Sequence, residues 1–247
     1  AMKAPHHIAR RTAMVHSEPS YLNKFEPILS KLEAQNRSKV VAIITMKGSI
    51  CPITRAHCMM FETAREKLLN GPEKFGEILG LLSLNSDSYV IDKKMSQLNE
   101  KGILYKDRSE LAKWATAEMP WMDFNPGLPK ESEWWLSHYW KGLTFIRYEM
   151  NGADDVLKFE KWKHCNSNRR FITIGRPGFT EEVIERSTAF GVDLQKGHFI
   201  IAPELPDISS TQVRKALRVE HGKPLEESIQ RLGHLLHPSV AEWLLKP

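Results

Sequence analysis

Residues 40–57 read VVAIITMKGSICPITRAH, an apolar run that passes through a glycine turn into a helical pattern. The apolar run has the composition of a strand buried on both faces. A strand that turns into a helix gathers backbone N–H groups and the positive end of the helix dipole, which is typical of a phosphate site. Gly48 allows close approach to the backbone, and Pro52 stiffens the turn. The stretch therefore predicts an anion site beside His57, although a tight turn with His57 as a cap residue would look the same.

A second junction of this kind lies near the other end of the chain. Residues 198–203 have the pattern of a strand, and the sequence DISSTQVR, which ends at Arg214, follows after a short loop. Ser209 or Ser210 is a good helix N-cap. Arg214 comes three residues after Thr211, so a hydroxyl and a guanidinium share one helix face. A capped helix with a surface arginine fits the segment too, but two such junctions in one chain favour a nucleotide-phosphate site.

Both motifs resemble signatures of the nucleotidyltransferase superfamily, and the chain is most similar to its eukaryotic nicotinamide mononucleotide adenylyltransferases. Gly48-Ser49-x-x-Pro52-Ile53-Thr54-x-x-His57 is similar to the [H/T]xxH signature, and Ile208-Ser209-Ser210-Thr211-x-x-Arg214 is similar to ISSTxxR. Between them, Gly152-Ala153-Asp154, Trp162-Lys163 and Arg176 are similar to further family segments. The resemblance runs from about Val40 to Leu245. This chain departs from the family pattern at Ile50 and Cys51, where an aromatic residue or Thr and then Asn or Asp are usual.

The resemblance implies adenylyl transfer from ATP to nicotinamide mononucleotide, or to its nicotinic acid counterpart, in NAD biosynthesis. A phosphate oxygen of the mononucleotide would attack the α-phosphorus in line, and it is already ionised near neutral pH, so no general base is needed. His57 and Arg214 would be catalytic donors, with Mg²⁺ as cofactor held by Asp154, directly or through water. The resemblance further assigns nucleotide binding to Gly48, Ser49, Thr54, Lys101, Gly152, Asp154, Arg176, Ser209, Ser210 and Thr211, and nicotinamide stacking to Trp134 and Trp162.

Two other functions fit the same motifs. One is a related nucleotidyltransferase with a different phosphate acceptor. The other is a nucleotide-binding or chaperone-like relative that keeps the fold without catalysis. Trp135 also competes with Trp134 for the second stacking position, because the similarity to the family is loose there.

Composition narrows the class of protein. The chain has 247 residues, 41% hydrophobic and 26% charged, as in ordinary soluble proteins. Its net charge of +5 suits a polyanionic nucleotide, whereas basic clusters interleaved with aromatic residues, which would indicate nucleic acid, are absent. Without a membrane-spanning run or a secretory segment, we expect an intracellular protein, cytoplasmic, nuclear or mitochondrial. The three cysteines form neither a disulfide framework nor a zinc motif.

The pattern divides the chain into an extension, residues 1–37, and a nucleotidyltransferase domain, residues 38–247, whose C-terminal helical part begins at about 203. The extension would comprise a tag remnant at Ala1, a flexible start and a peripheral helix over 20–35. We predict strands at 40–46, 77–84, 145–150, 170–175 and 198–202, and helices at 55–69, 107–119, 153–164, 180–190, 210–219, 225–235 and 238–245. This alternation predicts a Rossmann-like, doubly wound parallel α/β sheet with helices on both faces and a small C-terminal helical subdomain. The sequence pattern is least defined in the tryptophan-rich region 85–143. A homo-oligomer is one possible oligomeric state, which the sequence does not determine.

Overall fold

The computed structural model of the protein describes residues 18–98 and 100–246, apart from the side chains of Lys93 and Lys94. The predicted tag remnant at Ala1 and the predicted flexible start lie outside these residues. Among the described helices, none has both the length and the apolar character needed to cross a membrane.

A six-stranded, all-parallel sheet forms the centre of the described chain. Its strands are β1 (Val40–Gly48), β2 (Glu77–Leu84), β3 (Met122–Phe124), β4 (Thr144–Gly152), β5 (Arg170–Gly175) and β6 (Phe199–Glu204). Their order, β3-β2-β1-β4-β5-β6, is that of a doubly wound Rossmann sheet, so the predicted fold class is confirmed. The five predicted strands are present with small shifts at their ends, and the three-residue strand β3 is the addition.

Helices cover both faces of this sheet, as the apolar run of β1 predicts. They are α1 (Tyr21–Ala34), α2 (Arg55–Leu69), α3 (Tyr105–Thr116), α4 (Glu131–Tyr139), α5 (Ala153–Phe159), α6 (Thr180–Ala189), α7 (Ser210–Glu220), α8 (Leu225–Leu232) and α9 (Pro238–Leu245). Alternate residues of β1 serve different cores: Ile44 packs in the cluster that contains α2 residues, and Ile43 in the one that contains α1 residues. Burial on both sides explains why the strand has no polar face.

The structure departs from the sequence prediction at three helical segments. The helix predicted over 153–164 is broken at Glu160, whose left-handed backbone (φ 46°) ends α5 before a short 3₁₀ turn, Lys161–His164. Helix α4 and a π-helical segment, Ser88–Met95, were not predicted. Both lie in the region 85–143, where the sequence pattern is least defined.

Helix α1 is part of the main fold instead of a peripheral addition. Its residues Tyr21, Phe25, Leu29 and Leu32 are fully buried and share a cluster with β1 and β2. At the other end of the chain, α9 packs on α3, and residues of α8 and α9 belong to the same core cluster as α2. Helix α1 therefore packs on one face of the sheet, and the helices α8 and α9 share the core on the other face.

Candidate active site

A cavity of about 420 Å³ opens at the carboxyl ends of the strands. It is lined by the last residues of β1, β4 and β5, by the segment after β6 and by the starts of α2, α5 and α7. Strand order reverses between β1 and β4, and ligands of doubly wound sheets bind at such a switch point. Nine of the predicted site residues line this cavity: Gly48, Ser49, His57, Gly152, Asp154, Arg176, Ser209, Ser210 and Arg214.

The turn after β1 has an unusual backbone. Ile50 adopts φ 44°, a left-handed conformation that is rare for a β-branched residue and costs roughly 1–3 kcal/mol. Gly48 precedes it in close packing, since a Cβ there would lie 2.9 Å from the Ile50 Cδ1 atom. Such a conformation persists only where neighbouring contacts impose it. The backbone carbonyls of the turn accept hydrogen bonds from Arg108, Ser210 and Arg214.

The ring of His57 is oriented by the residue that precedes helix α2. The Thr54 backbone N–H donates to His57 Nδ1 at 3.0 Å, and the Thr54 hydroxyl lies 2.8 Å from the same nitrogen. A proton on Nδ1 would face the Thr54 N–H, so this contact favours the tautomer with the proton on Nε2 when the ring is neutral. The ring of His57 lines the cavity. Thr54 itself is buried, lies outside the cavity lining and acts on it through this ring.

The second motif is joined directly to the first turn. Ser209 caps α7 and accepts the Gln212 N–H, while Ser210 Oγ donates to the Pro52 carbonyl at 2.8 Å. Arg214 Nη1 donates to the Cys51 carbonyl at 2.8 Å. Two segments about 160 residues apart in the chain therefore form one wall of the cavity, to which the starts of α2 and α7 both contribute.

Arg214 has an acidic partner that the sequence did not reveal. Glu100 pairs with the Nε of Arg214 and, at 2.8 Å, with Arg218. Burial raises the pKa of the Glu100 carboxyl, but hydrogen bonds and charges from Arg214 and Arg218 outweigh it, so the net shift is downward. The remaining bond of the Arg214 guanidinium is to Thr211 Oγ1, at 3.1 Å. Thr211 thus positions Arg214 from outside the cavity lining.

A second ionic group links the ends of β4, β5 and β6. Arg176, just after β5, donates to Asp154 at 3.0 Å and to Asp207 at 3.2 Å. The Asp154 carboxylate is 43% exposed at the start of α5. Its neighbour Asp155, which also lines the cavity, pairs with Lys161. This side of the cavity offers carboxylates for a metal or for ribose hydroxyls, and one guanidinium for an anion.

Arg108 is a further residue of the site that sequence reasoning missed. Its side chain is fully buried on α3, where it donates to the carbonyl of Ser49 in the turn after β1. A signal for it was present: Arg108 stands three, four and seven residues before buried Leu111, Ala112 and Ala115, on the apolar face of the helix. A charged residue at a core-facing position is rarely buried without partners.

Besides Thr54 and Thr211, three more of the predicted residues lie outside the cavity lining. Trp162 is 2% exposed in a cluster with Phe171 and Phe199, and the Arg186 guanidinium lies 5.3 Å from its ring centre. Contact with a ligand would require this cluster to open. Trp134 is 60% exposed on α4, stacked on His138, and is not among the lining residues. Lys101 is exposed next to Glu100 and is also outside the lining.

Comparison with known proteins adds information at the level of the fold. No protein-family model matches the chain. Among solved structures, nicotinic acid mononucleotide adenylyltransferase from Plasmodium falciparum, complexed with NaAD, aligns over 83% of this chain and 94% of its own, with a TM-score of 0.52 and 15% identity. At that identity the likeness shows a shared Rossmann-like fold and no more. A ferredoxin NADP⁺ reductase from Neisseria gonorrhoeae with bound FAD and NADP aligns over 69% of this chain and 58% of its own, with a TM-score of 0.18 and 12% identity, too low to support an inference.

Proposed function

We propose that the protein transfers the adenylyl group of ATP to a pyridine mononucleotide, nicotinamide mononucleotide or its nicotinic acid analogue, releasing pyrophosphate. The observation that carries the proposal is the joining of the two anion-binding motifs, through Ser210 and Arg214, at a cavity on the switch point of the sheet. The Plasmodium falciparum structure of similar fold is a nicotinic acid mononucleotide adenylyltransferase complexed with NaAD. The cavity volume is in the range of small-ligand sites.

The residues of the cavity suit a reaction between two anions. The mononucleotide phosphate is ionised at neutral pH, so it needs alignment with the α-phosphorus and relief of charge repulsion, not a base. The N-termini of α2 and α7 and the Arg214 guanidinium would supply that relief. His57 Nε2–H would donate to an oxygen that gains charge in the transition state.

A magnesium ion would fit this site if the substrate phosphates supply most of its ligands. Within the described residues, no group of three or more His, Cys, Asp or Glu side chains could hold a metal. Asp154 nonetheless offers a partly exposed carboxylate at the cavity, and Mg²⁺ is usually held by one or two carboxylates, water and phosphate oxygens. The ion would neutralise charge on the departing pyrophosphate.

The test is pyrophosphate release from ATP and Mg²⁺ with nicotinamide mononucleotide, nicotinic acid mononucleotide or phosphopantetheine supplied in turn. We expect release with one or both pyridine mononucleotides and formation of the matching dinucleotide. Release only with phosphopantetheine would indicate a different acceptor. ATP binding without release would indicate the non-catalytic alternative, which the pairing of Arg214 with Glu100 also suits.

Matched variants exclude a contaminating activity. His57→Ala, purified in the same way, should lose most of the release. His138→Ala removes a histidine that stacks on Trp134 outside the cavity lining, and it should behave as the wild type.

A further inference from the structure

Arg108 stands out among the buried charged groups because its bonds converge on the walls of the cavity. The side chain is fully buried, and a buried guanidinium is stable only when its N–H groups find acceptors. It donates to the Ile103 carbonyl at 2.9 Å, the Ser49 carbonyl at 2.8 Å and the Asn85 carbonyl at 3.1 Å. Its charge is balanced by Asp87 at 2.9 Å.

These acceptors lie in three segments that surround the end of β1. Ser49 follows β1, Asn85 follows β2 and Ile103 precedes α3. The Asn85 N–H also donates to the Gly48 carbonyl at 2.9 Å. Arg108 and Asn85 thus fix two successive carbonyls, those of Ser49 and Gly48, toward the β2 and α3 side.

The direction of the Ser49 carbonyl determines the direction of the next N–H group. Across a trans peptide bond, the C=O and N–H point opposite ways. The Ser49–Ile50 bond is trans, so the Ile50 N–H points away from Arg108. A left-handed residue in such a turn is a feature of backbone concavities that bind anions, and Ile50 lines the cavity.

We propose that Arg108 is a positioning residue: through the Ser49 carbonyl, it holds the Ile50 N–H toward a substrate phosphate. The inference rests on the proposed function for the identity of that phosphate. Arg108 touches no substrate, and its effect on the reaction passes through the peptide that it orients. The strain at Ile50 has the same origin, since the bonds of Arg108 and Asn85 hold the turn in this shape.

The test compares two arginine-to-lysine variants of buried ion pairs. Arg108→Lys keeps a charge for Asp87, but an ammonium group cannot span the acceptors that a guanidinium reaches. Arg170→Lys is the control, because Arg170 is also mostly buried, pairs with Glu73 at 2.6 Å and lies at the start of β5, the opposite end of the sheet. Calorimetry with inorganic pyrophosphate as the probe measures anion binding without turnover.

We expect Arg108→Lys to weaken pyrophosphate binding by at least about tenfold, as the loss of a preorganised donor should, and Arg170→Lys to leave it little changed. Equal weakening in both variants, or unchanged binding in Arg108→Lys, would overturn the proposal. If Arg108→Lys fails to fold, an NMR titration of the wild type with pyrophosphate tests the proposal instead. The Ile50 amide resonance of the ¹⁵N-labelled protein should then move downfield as pyrophosphate is added, and an unmoved Ile50 resonance would refute the role.

These experiments distinguish a failure of the proposed adenylyl transfer from a failure of the proposed role of Arg108. A wild type that binds pyrophosphate through Ile50 but forms no dinucleotide refutes adenylyl transfer and leaves the role of Arg108 intact. A wild type that forms dinucleotide while Arg108→Lys binds pyrophosphate normally refutes the role of Arg108 alone.

Discussion

Replacing His57 should separate two roles of one ring, because its two nitrogens have different partners. Nδ1 accepts the Thr54 N–H at the start of α2, and in the proposed reaction Nε2 donates to the substrate. In His57→Ala the first loss should cost about 1 kcal/mol of stability, as for a helix cap. At this size, that lowers the melting temperature by about 2–4 °C. The second loss removes one preorganised donor and should reduce kcat by roughly 10²–10³.

Two further substitutions at the same position assign these effects. In His57→Asn the side-chain oxygen can take the place of Nδ1, so the melting temperature should recover while turnover stays low. His57→Gln extends an amide donor toward the former Nε2 position and should recover part of the turnover with less of the stability. The assays are steady-state pyrophosphate release, single-turnover dinucleotide formation and thermal unfolding. His57→Ala with a kcat close to that of the wild type would refute the donor role, and so would an Asn variant that regains both properties.

Three other predictions follow from the packing and the charges. Trp162→Ala should lower the free energy of unfolding, measured in urea, by about 3–5 kcal/mol because the ring is buried. A variant with normal stability that loses only its affinity for the mononucleotide would instead show that a ligand reaches the ring. Cys51→Asn should lower the melting temperature, because it places an amide where the buried thiol accepts the Ile103 N–H at 3.4 Å. The same substitution should leave kcat unchanged. A fall in kcat of about tenfold, or ~1.4 kcal/mol of barrier, would give the thiol a role in the reaction. The hydrogen bond from Arg231 lowers the pKa of Glu220 to about 2. The ionised carboxylate therefore stabilises the fold above the unfolded-state pKa of about 4.3, and this stabilisation is lost as the pH falls toward 2. In urea unfolding, the stability of Glu220→Gln should differ from that of the wild type at neutral pH and converge with it near pH 2, whereas a difference that is constant with pH would contradict the assignment.

The parts of this protein that follow from local pattern could be predicted from the sequence. The apolar run before Gly48 and the helical spacing after it predicted β1 and α2, and the capped DISSTQVR segment predicted α7. Alternation of such units predicted the parallel sheet. These features depend on residues that are neighbours in the chain, so the sequence alone carries them. The short strand β3 and helix α4 have no such local signature, and they form because β2 and β4 provide edges and faces to pack on.

Only the tertiary structure decided which side chains meet. Glu100 reaches Arg214 across more than 100 residues, and Arg108 reaches Ser49 across 59. Trp162 lies inside a core cluster although its motif suggested a ligand contact. Pairing over such distances depends on strand order and on how helices pack across the sheet, which no local pattern contains. The sequence by itself determined the two strand-to-helix junctions, whereas folding determined that both junctions share one cavity, because only the parallel sheet brings the carboxyl ends of its strands to the same edge.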